Sequence, residues 1–128
     1  MNLIEKLNWG KDGLMPIAVA DYETKRTLVL CFMDKEALRL TLETGKVHTY
    51  SRSRGRVALK GESSGHVQNV KRILVNCNED SLCIEVEQKV AACHMGYFSC
   101  YYREVDPATG EYTAVEERVF DPEEVYGK

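Results

Sequence analysis

The stretch that decides the fold is ILVNCNEDSLCIEV, residues 73–86. Its apolar side chains fall at every second position on two arms; they are Ile73, Val75 and Cys77, then Leu82, Ile84 and Val86. Alternation with a period of two is typical of strands with one buried face, and the polar letters NED between the arms favour a turn. The stretch therefore predicts a β-hairpin whose interior face carries these residues.

Further short apolar or β-branched runs on both sides of this hairpin also predict strands. IAVADY (17–22) and TLVLCFM (27–33) are joined by ETKR, and KVHTYS (46–51) is followed by RVAL (56–59). Towards the C-terminus, YFSCYYREV (97–105) leads through the turn-forming DPATGE into YTAVEERVF (112–120). This last pair predicts another hairpin.

Helix signals are fewer. Asp34 is a candidate N-cap for KEALRLTLET (35–44), and Gly45 stands where a glycine commonly ends a helix. NLIEKLNW (2–9) predicts a second, short helix that GKDG ends. We therefore expect an α+β fold: one compact, mainly antiparallel β domain over residues 1–128, with one or two short helices. Exposed strand edges in so small a domain favour a homodimer.

Composition excludes several classes of protein. The 128 residues carry 17 basic and 20 acidic side chains, so no overall field would attract nucleic acid or an anionic membrane. No apolar run is long enough to cross a bilayer, and the charged N-terminus is unlike a signal peptide. We expect a cytoplasmic protein that takes a small-molecule ligand. In that reducing compartment its five cysteines suggest metal binding or catalysis rather than disulfides.

Three thiols are candidate zinc ligands: Cys77, Cys93 and Cys100. A catalytic zinc site uses three protein ligands and leaves the fourth position to water. The spacing is not that of a zinc ribbon, and taken alone these thiols would more often be buried apolar residues. Their polar, Gly-containing surroundings favour metal binding instead. Cys31, inside LVLCFM, fits an ordinary core residue, and we assign Cys83 no role.

His94 follows Cys93 directly. It could be a fourth ligand, a general acid-base group or a structural histidine. If the thiolates hold zinc, His94 is close enough to exchange a proton with water whose pKa the metal lowers to about 7.

The segment SRSRGRVALKGESSGH, residues 51–66, concentrates basic side chains, serines and glycines. Such residues hold phosphate through charge and backbone N–H groups. The same composition also suits a solvated basic loop or a weak site for single-stranded RNA.

The motifs FMDKEAL, SRSR, KGESSGH, VEQ and ACHMGYFSCYYR, in this order over residues 28–103, resemble the phosphoribosyl-AMP cyclohydrolase family of histidine biosynthesis. The resemblance implies a homodimer with zinc at the subunit interface, held by Cys77, Cys93 and Cys100. It also implies that water adds to C6 of an N1-phosphoribosylated adenine and that the N1–C6 bond breaks, with His94 as the catalytic residue that moves the proton. The implied substrate-binding residues are Ser51, Arg52, Ser53, Arg54, Lys60, Gly61, Glu62, Ser64 and His66.

The resemblance further implies a magnesium site on an Asp-Cys-Asp-x-Asp motif. The corresponding residues here are Asn76, Asn78 and Asp80, so two of the three carboxylates are neutral amides. Magnesium is a hard cation that usually binds through carboxylates. We therefore expect it to bind more weakly than in the family, unless Glu79 or a substrate phosphate compensates.

Three further positions depart from the family pattern: Asp34 stands for an Asn, Ala58 for a Trp and Val90 for a Gly. These departures keep two alternatives open. One is a paralogous zinc amidohydrolase for another purine-like or phosphoribosylated compound, and the other is a non-catalytic, zinc-stabilised module that binds nucleotides or RNA. The zinc deaminase signature, H-x-E with P-C-x-x-C, does not occur.

Overall fold

A computed structural model of the chain describes residues 2–126, so the expected domain of residues 1–128 includes three terminal residues outside the described range. Within this range the chain forms three short helices and eight strands. The helices are α1 (Leu3–Lys6), α2 (Lys35–Thr44) and α3 (Pro122–Tyr126). The strands are β1 (Met15–Asp21), β2 (Thr27–Met33), β3 (His48–Ser51), β4 (Arg56–Leu59), β5 (Gln68–Val75), β6 (Leu82–Gln88), β7 (Arg103–Val105) and β8 (Tyr112–Ala114). No helix among these residues combines the length and apolar character that a membrane span needs.

The main sheet has four strands in the order β2-β1-β6-β5. The outer pairs are antiparallel, as the hairpin patterns predict, whereas the central pair β1 and β6 is parallel. Two small antiparallel sheets, β3-β4 and β7-β8, complete the strands of the described chain. The expected α+β class with mainly antiparallel pairing is confirmed. The parallel contact was not predicted, because residue alternation identifies a buried face but not the neighbour of a distant strand.

One face of the main sheet forms the core. Ile17, Val19 and Ile84 are fully buried there, and Ala37 and Leu38 of α2 belong to the same cluster. Burial of each large aliphatic side chain contributes about 1.5–3 kcal/mol, so this face is the main source of stability.

Helix α2 has the predicted ends. The Asp34 carboxylate accepts a hydrogen bond from the Ala37 N–H at 2.8 Å. Gly45 adopts a left-handed conformation with φ of 74°, and its N–H donates to the Thr41 carbonyl at 3.0 Å. Local capping therefore sets both bounds.

The predicted interior face of the first hairpin arm is only partly interior. Ile73 packs against the core, but Val75 is 50% exposed and Cys77 is exposed. Strand β5 lies at the edge of the sheet and ends at Val75, so Cys77 belongs to the turn and not to the strand.

Two predicted elements are shorter than expected. Helix α1 ends at Lys6, because Leu7 is already extended. The strand predicted over residues 97–105 forms only at β7. Residues before it bond to their own loop instead, where the Ala92 N–H donates to the Phe98 carbonyl at 2.9 Å.

Helix α3 was not predicted. The Asp121 carboxylate accepts from the Glu123 N–H at 3.0 Å, and Pro122 occupies the first helical position, where its fixed φ is favourable. The segment YTAVEERVF, residues 112–120, was expected to continue as a strand, but β8 ends at Ala114. The chain then returns to the 93–100 loop, where the Val119 N–H donates to the Gly96 carbonyl at 2.7 Å.

Candidate active site

A cavity of about 280 Å³ lies between the β3–β4 hairpin, the loop after β4, and the segment that precedes Cys93. It contains most of the predicted substrate-binding set: Ser51, Arg54, Lys60, Gly61, Glu62, Ser64 and His66. Other residues that line it lie outside that substrate-binding set, although Ser63 belongs to the serine-rich segment 51–66: Thr49, Ala58, Leu59, Ser63, Ala91, Ala92 and Tyr126. The motifs SRSR and KGESSGH therefore meet at one place.

Arg52 and Ser53 lie outside this lining. Thr49 and Ser51 line the cavity, whereas Tyr50 and Arg52 line a separate cavity of about 590 Å³. Successive side chains of a strand point to opposite faces, which explains the division. The Arg52 guanidinium stacks 4.2 Å from the centre of the Phe32 ring.

The loop over residues 61–66 folds back tightly on itself. The Gly65 N–H donates to the Gly61 carbonyl at 2.8 Å, and a Cβ on Gly61 would lie 2.5 Å from the His66 carbonyl oxygen. Only glycine tolerates this approach, and its φ of 89° is unfavourable for other residues. The backbone conformation of the KGESSGH motif therefore requires glycine at position 61.

Positive charge predominates in the cavity wall. Arg54 and Lys60 both line it, and Glu62, which carries the single carboxylate among the described lining residues, pairs with Arg56 at 3.0 Å. Cationic side chains with serine hydroxyls and backbone N–H groups are suited to phosphate.

His66 contributes an unsatisfied nitrogen. Its Nδ1 atom is buried, and no residue that the structure describes forms a hydrogen bond with it. A buried polar atom without a partner costs about 1–3 kcal/mol. A ligand in the cavity is one partner that would satisfy it.

The 93–100 loop brings two of the three predicted zinc ligands together. The Cys93 N–H donates to the Tyr97 carbonyl at 3.1 Å, and the Cys100 N–H donates to the Leu28 carbonyl at 2.7 Å. Burial, together with the neighbouring Cys93 thiol, raises the pKa of Cys100 to about 11. Two thiols this close are a donor set of the kind that zinc binds, since a divalent cation favours their thiolate forms.

Lys60 connects the cavity with this thiol pair. Its Nζ donates to the Ala92 carbonyl at 3.1 Å, one residue before Cys93. The positive charge of Lys60 lowers the pKa of the Cys100 and Cys31 thiols and so opposes the effect of burial. Burial nevertheless raises the pKa of Cys31 to about 12, which agrees with its predicted place against the core.

Cys77 does not join the other two thiols within one chain. It is exposed in the turn after β5, where the Asn8 N–H donates to the Glu79 carbonyl at 2.7 Å. Across residues 2–126, no three His, Cys, Asp or Glu side chains converge as a metal-binding group. His94 is exposed in the loop between Cys93 and Cys100 and does not line the cavity.

The residues at the implied magnesium positions do not fit that ion. The Asn76 Oδ1 atom accepts from the Asp80 and Ser81 N–H groups, each at 3.0 Å. The Asn76 Nδ2 atom donates to the Asp80 carboxylate at 2.6 Å. The Asn76 amide thus occupies one oxygen of the Asp80 carboxylate, and neither Asn76 nor Asn78 supplies the negative charge that magnesium favours.

Among the residues missed by sequence reasoning, Thr49 had a readable signal because it alternates with Ser51. Ala91 and Ala92 adjoin Cys93, but alanine carries no chemical signal of its own. Tyr126 reaches the cavity only because the C-terminal segment folds back, which no local pattern indicates.

Comparison with known proteins gives a consistent result. The family model of phosphoribosyl-AMP cyclohydrolase matches residues 29–102. A protein of Methanoregula boonei named phosphoribosyl-AMP cyclohydrolase is 50% identical over 122 residues, which cover 95% of each chain. A protein of the same name from Methanothermobacter thermautotrophicus is 49% identical over 130 residues, covering 99% of this chain and 91% of that one.

A third relative, the histidine biosynthesis bifunctional protein HisIE of Thermoanaerobacter pseudethanolicus, is 44% identical over 125 residues. The match covers 98% of this chain and 57% of that longer protein. The family match spans more than half of the chain, and similarity to the relatives extends over almost all of it. The chain therefore belongs to the phosphoribosyl-AMP cyclohydrolase family of hydrolytic enzymes.

Proposed function

We propose that this protein hydrolyses the adenine ring of phosphoribosyl-AMP in histidine biosynthesis, in the cytoplasm. Family membership and the names of its relatives support the substrate and the pathway. The observation that carries the proposal is the position of Lys60, which lines a basic cavity and contacts the segment beside two paired thiols. A phosphate bound there would hold the nucleotide next to the thiols of Cys93 and Cys100.

Zinc is the proposed metal, with Cys93 and Cys100 of one copy and Cys77 of a second copy as ligands. Two observations support this division: Cys93 and Cys100 lie together, and Cys77 is exposed on another part of the same chain. The proposed assembly is a homodimer with the sites at its interface. When bound, zinc would supply a Lewis acid that makes water a better nucleophile near neutral pH.

The chain's own residues supply positioning and proton transfer. Arg54, Lys60 and the cavity serines would hold phosphate. We propose that His94 takes a proton from the attacking water as its oxygen bonds to C6. That proton then goes to N1 as the N1–C6 bond breaks, and the second proton of the water is released to solvent, so the water oxygen becomes the carboxamide oxygen. Because His94 is exposed in the 93–100 loop, its ring is accessible to a ligand.

The direct test is conversion of phosphoribosyl-AMP by the zinc-loaded protein, followed by ultraviolet absorbance and product chromatography. We expect turnover that is lost on chelation and restored by zinc. Absence of turnover at full zinc occupancy would reject the assignment.

One observation favours a second candidate function. Ala58 lines the cavity at a position where the family usually carries a Trp, so the wall differs from the family pattern. A paralogous enzyme for another phosphoribosylated, purine-like compound would have the same zinc and thiol requirement. Turnover of such a compound, with none of phosphoribosyl-AMP, would support this second candidate.

A further inference from the structure

The C-terminal segment, residues 118–126, packs on the site from outside the region that the family model matches. A hydrogen bond from the Val119 N–H to the Gly96 carbonyl, at 2.7 Å, joins it to the 93–100 loop. The Arg118 guanidinium lies 5.7 Å from the centre of the Tyr97 ring in the same loop. The segment therefore has a fixed position relative to Cys93 and Cys100.

Aromatic contacts extend this packing to the cavity. The Phe120 ring meets the His66 ring edge to face, with centroids 4.8 Å apart. The Tyr126 ring lies 6.3 Å from the Phe120 ring and lines the cavity together with His66 and Ala58. Phe120 thus packs between the rings of His66 and Tyr126 at the cavity wall.

Tyr126 differs from every other residue in that wall. Among the described residues that line the cavity, it is the only Phe, Tyr or Trp. Its side chain remains 43% exposed, so part of the ring is free to meet a ligand. A nucleotide also needs a surface on which its flat base can stack. The rest of the wall offers cations and hydroxyls for phosphate but little such surface.

We propose that the Tyr126 ring is the stacking surface for the purine ring of the substrate. This inference rests on the proposed function and deepens it. A purine presents a flat π-face to an aromatic side chain, and an N1-substituted adenine carries positive charge that an electron-rich phenol ring attracts. Tyr126 is accordingly a binding residue that selects for the heterocycle, while Arg54 and Lys60 bind phosphate.

The test compares two unreactive probes, AMP and ribose 5-phosphate, by isothermal titration calorimetry on the zinc-loaded protein. The probes share a phosphoribosyl group, and only AMP has the base. We expect Tyr126→Ala to weaken AMP binding by roughly 5- to 150-fold, as for loss of one base-aromatic stack, and to leave ribose 5-phosphate unchanged. Tyr126→Phe keeps the ring and should bind AMP as the wild type does.

Tyr22→Ala is the matched control, because Tyr22 follows β1, has the same 43% exposure as Tyr126 and does not line the cavity. It should leave both affinities unchanged. Equal weakening of both probes by Tyr126→Ala would show a merely structural role and overturn the inference. So would unchanged AMP affinity, or a wild-type protein that binds both probes equally.

These affinities separate the inference from the proposed function. If phosphoribosyl-AMP is not converted but AMP binding still depends on the Tyr126 ring, the function fails and the stacking role stands. If conversion occurs and Tyr126→Ala binds AMP normally, the function stands and the stacking role fails.

Discussion

The catalytic proposal at the level of single residues depends on His94. This imidazole is exposed in the short loop that holds Cys93 and Cys100, and the neighbouring Met95 is also exposed. Its position suits proton transfer to a ligand at the thiols better than a structural role, because it does not pack in the core.

His94→Ala should lower kcat by about 100-fold or more and change KM little, since general acid-base catalysis contributes about 10²–10⁴ in rate. Zinc content should stay at the wild-type level. Steady-state kinetics and metal analysis measure both quantities, and Met95→Ala controls for disturbance of the loop. A His94→Ala enzyme with normal kcat would remove this residue from the mechanism.

Val90 shows backbone strain at a position where the resemblance to the family implies a glycine. Its φ is 56°, which is rarely adopted by a β-branched residue, and its side chain is exposed. Burial of the Val90 side chain therefore does not offset the cost of this backbone conformation.

Val90→Gly should stabilise the protein by about 1 kcal/mol. Relief of the left-handed conformation is worth about 1–2 kcal/mol, and the greater freedom of glycine in the unfolded chain offsets part of it. Urea unfolding measures the change. Val90→Ala, which keeps a Cβ, should gain much less, and equal stability of the two variants would contradict this explanation.

Sequence reasoning succeeded at positions where the signal is local. Asp34 and Gly45 cap α2 as predicted, because each interacts within one helical turn. It predicted seven of the residues that line the cavity, but not the split between Ser51 and Arg52, whose side chains lie in different cavities. Tyr126 was missed because its role arises from folding of a distant segment.

At the level of elements, the same distinction explains the β-strands. Strands β1 and β2 were predicted from short apolar or β-branched runs, and the hairpin β5–β6 was predicted from the alternation of its apolar residues. Of the strand expected over residues 97–105, only β7 forms, since the Phe98 carbonyl accepts from the Ala92 N–H in its own loop and the bond from the Cys100 N–H to the Leu28 carbonyl of β2 does not continue as a ladder. Pairing partners and edges depend on tertiary contacts that alternation does not encode.

The turn after β5 yields a prediction about magnesium. The Asn76 amide donates to the Asp80 carboxylate, so Asn76→Asp together with Asn78→Asp would replace this bond by carboxylate repulsion. We expect the double variant to lose roughly 1 kcal/mol without magnesium and to regain it with excess magnesium. The wild-type Tm should not respond to magnesium.

Thermal unfolding with and without magnesium checks this, and calorimetry measures binding directly. Asn69→Asp is the matched control, because the Asn69 amide also donates to a carboxylate, that of Glu87, on the β5–β6 pair. The Asn69→Asp variant should also lose stability, but magnesium should not restore it. A wild-type Tm that rises with magnesium as much as that of the double variant would show that the amides do bind the ion.

At the scale of the whole molecule, the proposed zinc site requires two copies of the chain. One chain brings Cys93 and Cys100 together near the cationic cavity, while Cys77 lies exposed in the turn after β5. The central claim is therefore that each zinc site takes Cys77 from one subunit and the other two thiols from its partner.

Subunit complementation tests this claim most directly. Cys77→Ser and Cys93→Ser proteins are purified separately, then unfolded and refolded together with zinc, and activity and zinc content are measured. Each variant alone should be inactive and poor in zinc. Random pairing makes half of the dimers mixed, each with one intact site, so the mixture should recover about a quarter of wild-type activity. A mixture that stays inactive, although mass analysis shows mixed dimers, would contradict the shared site.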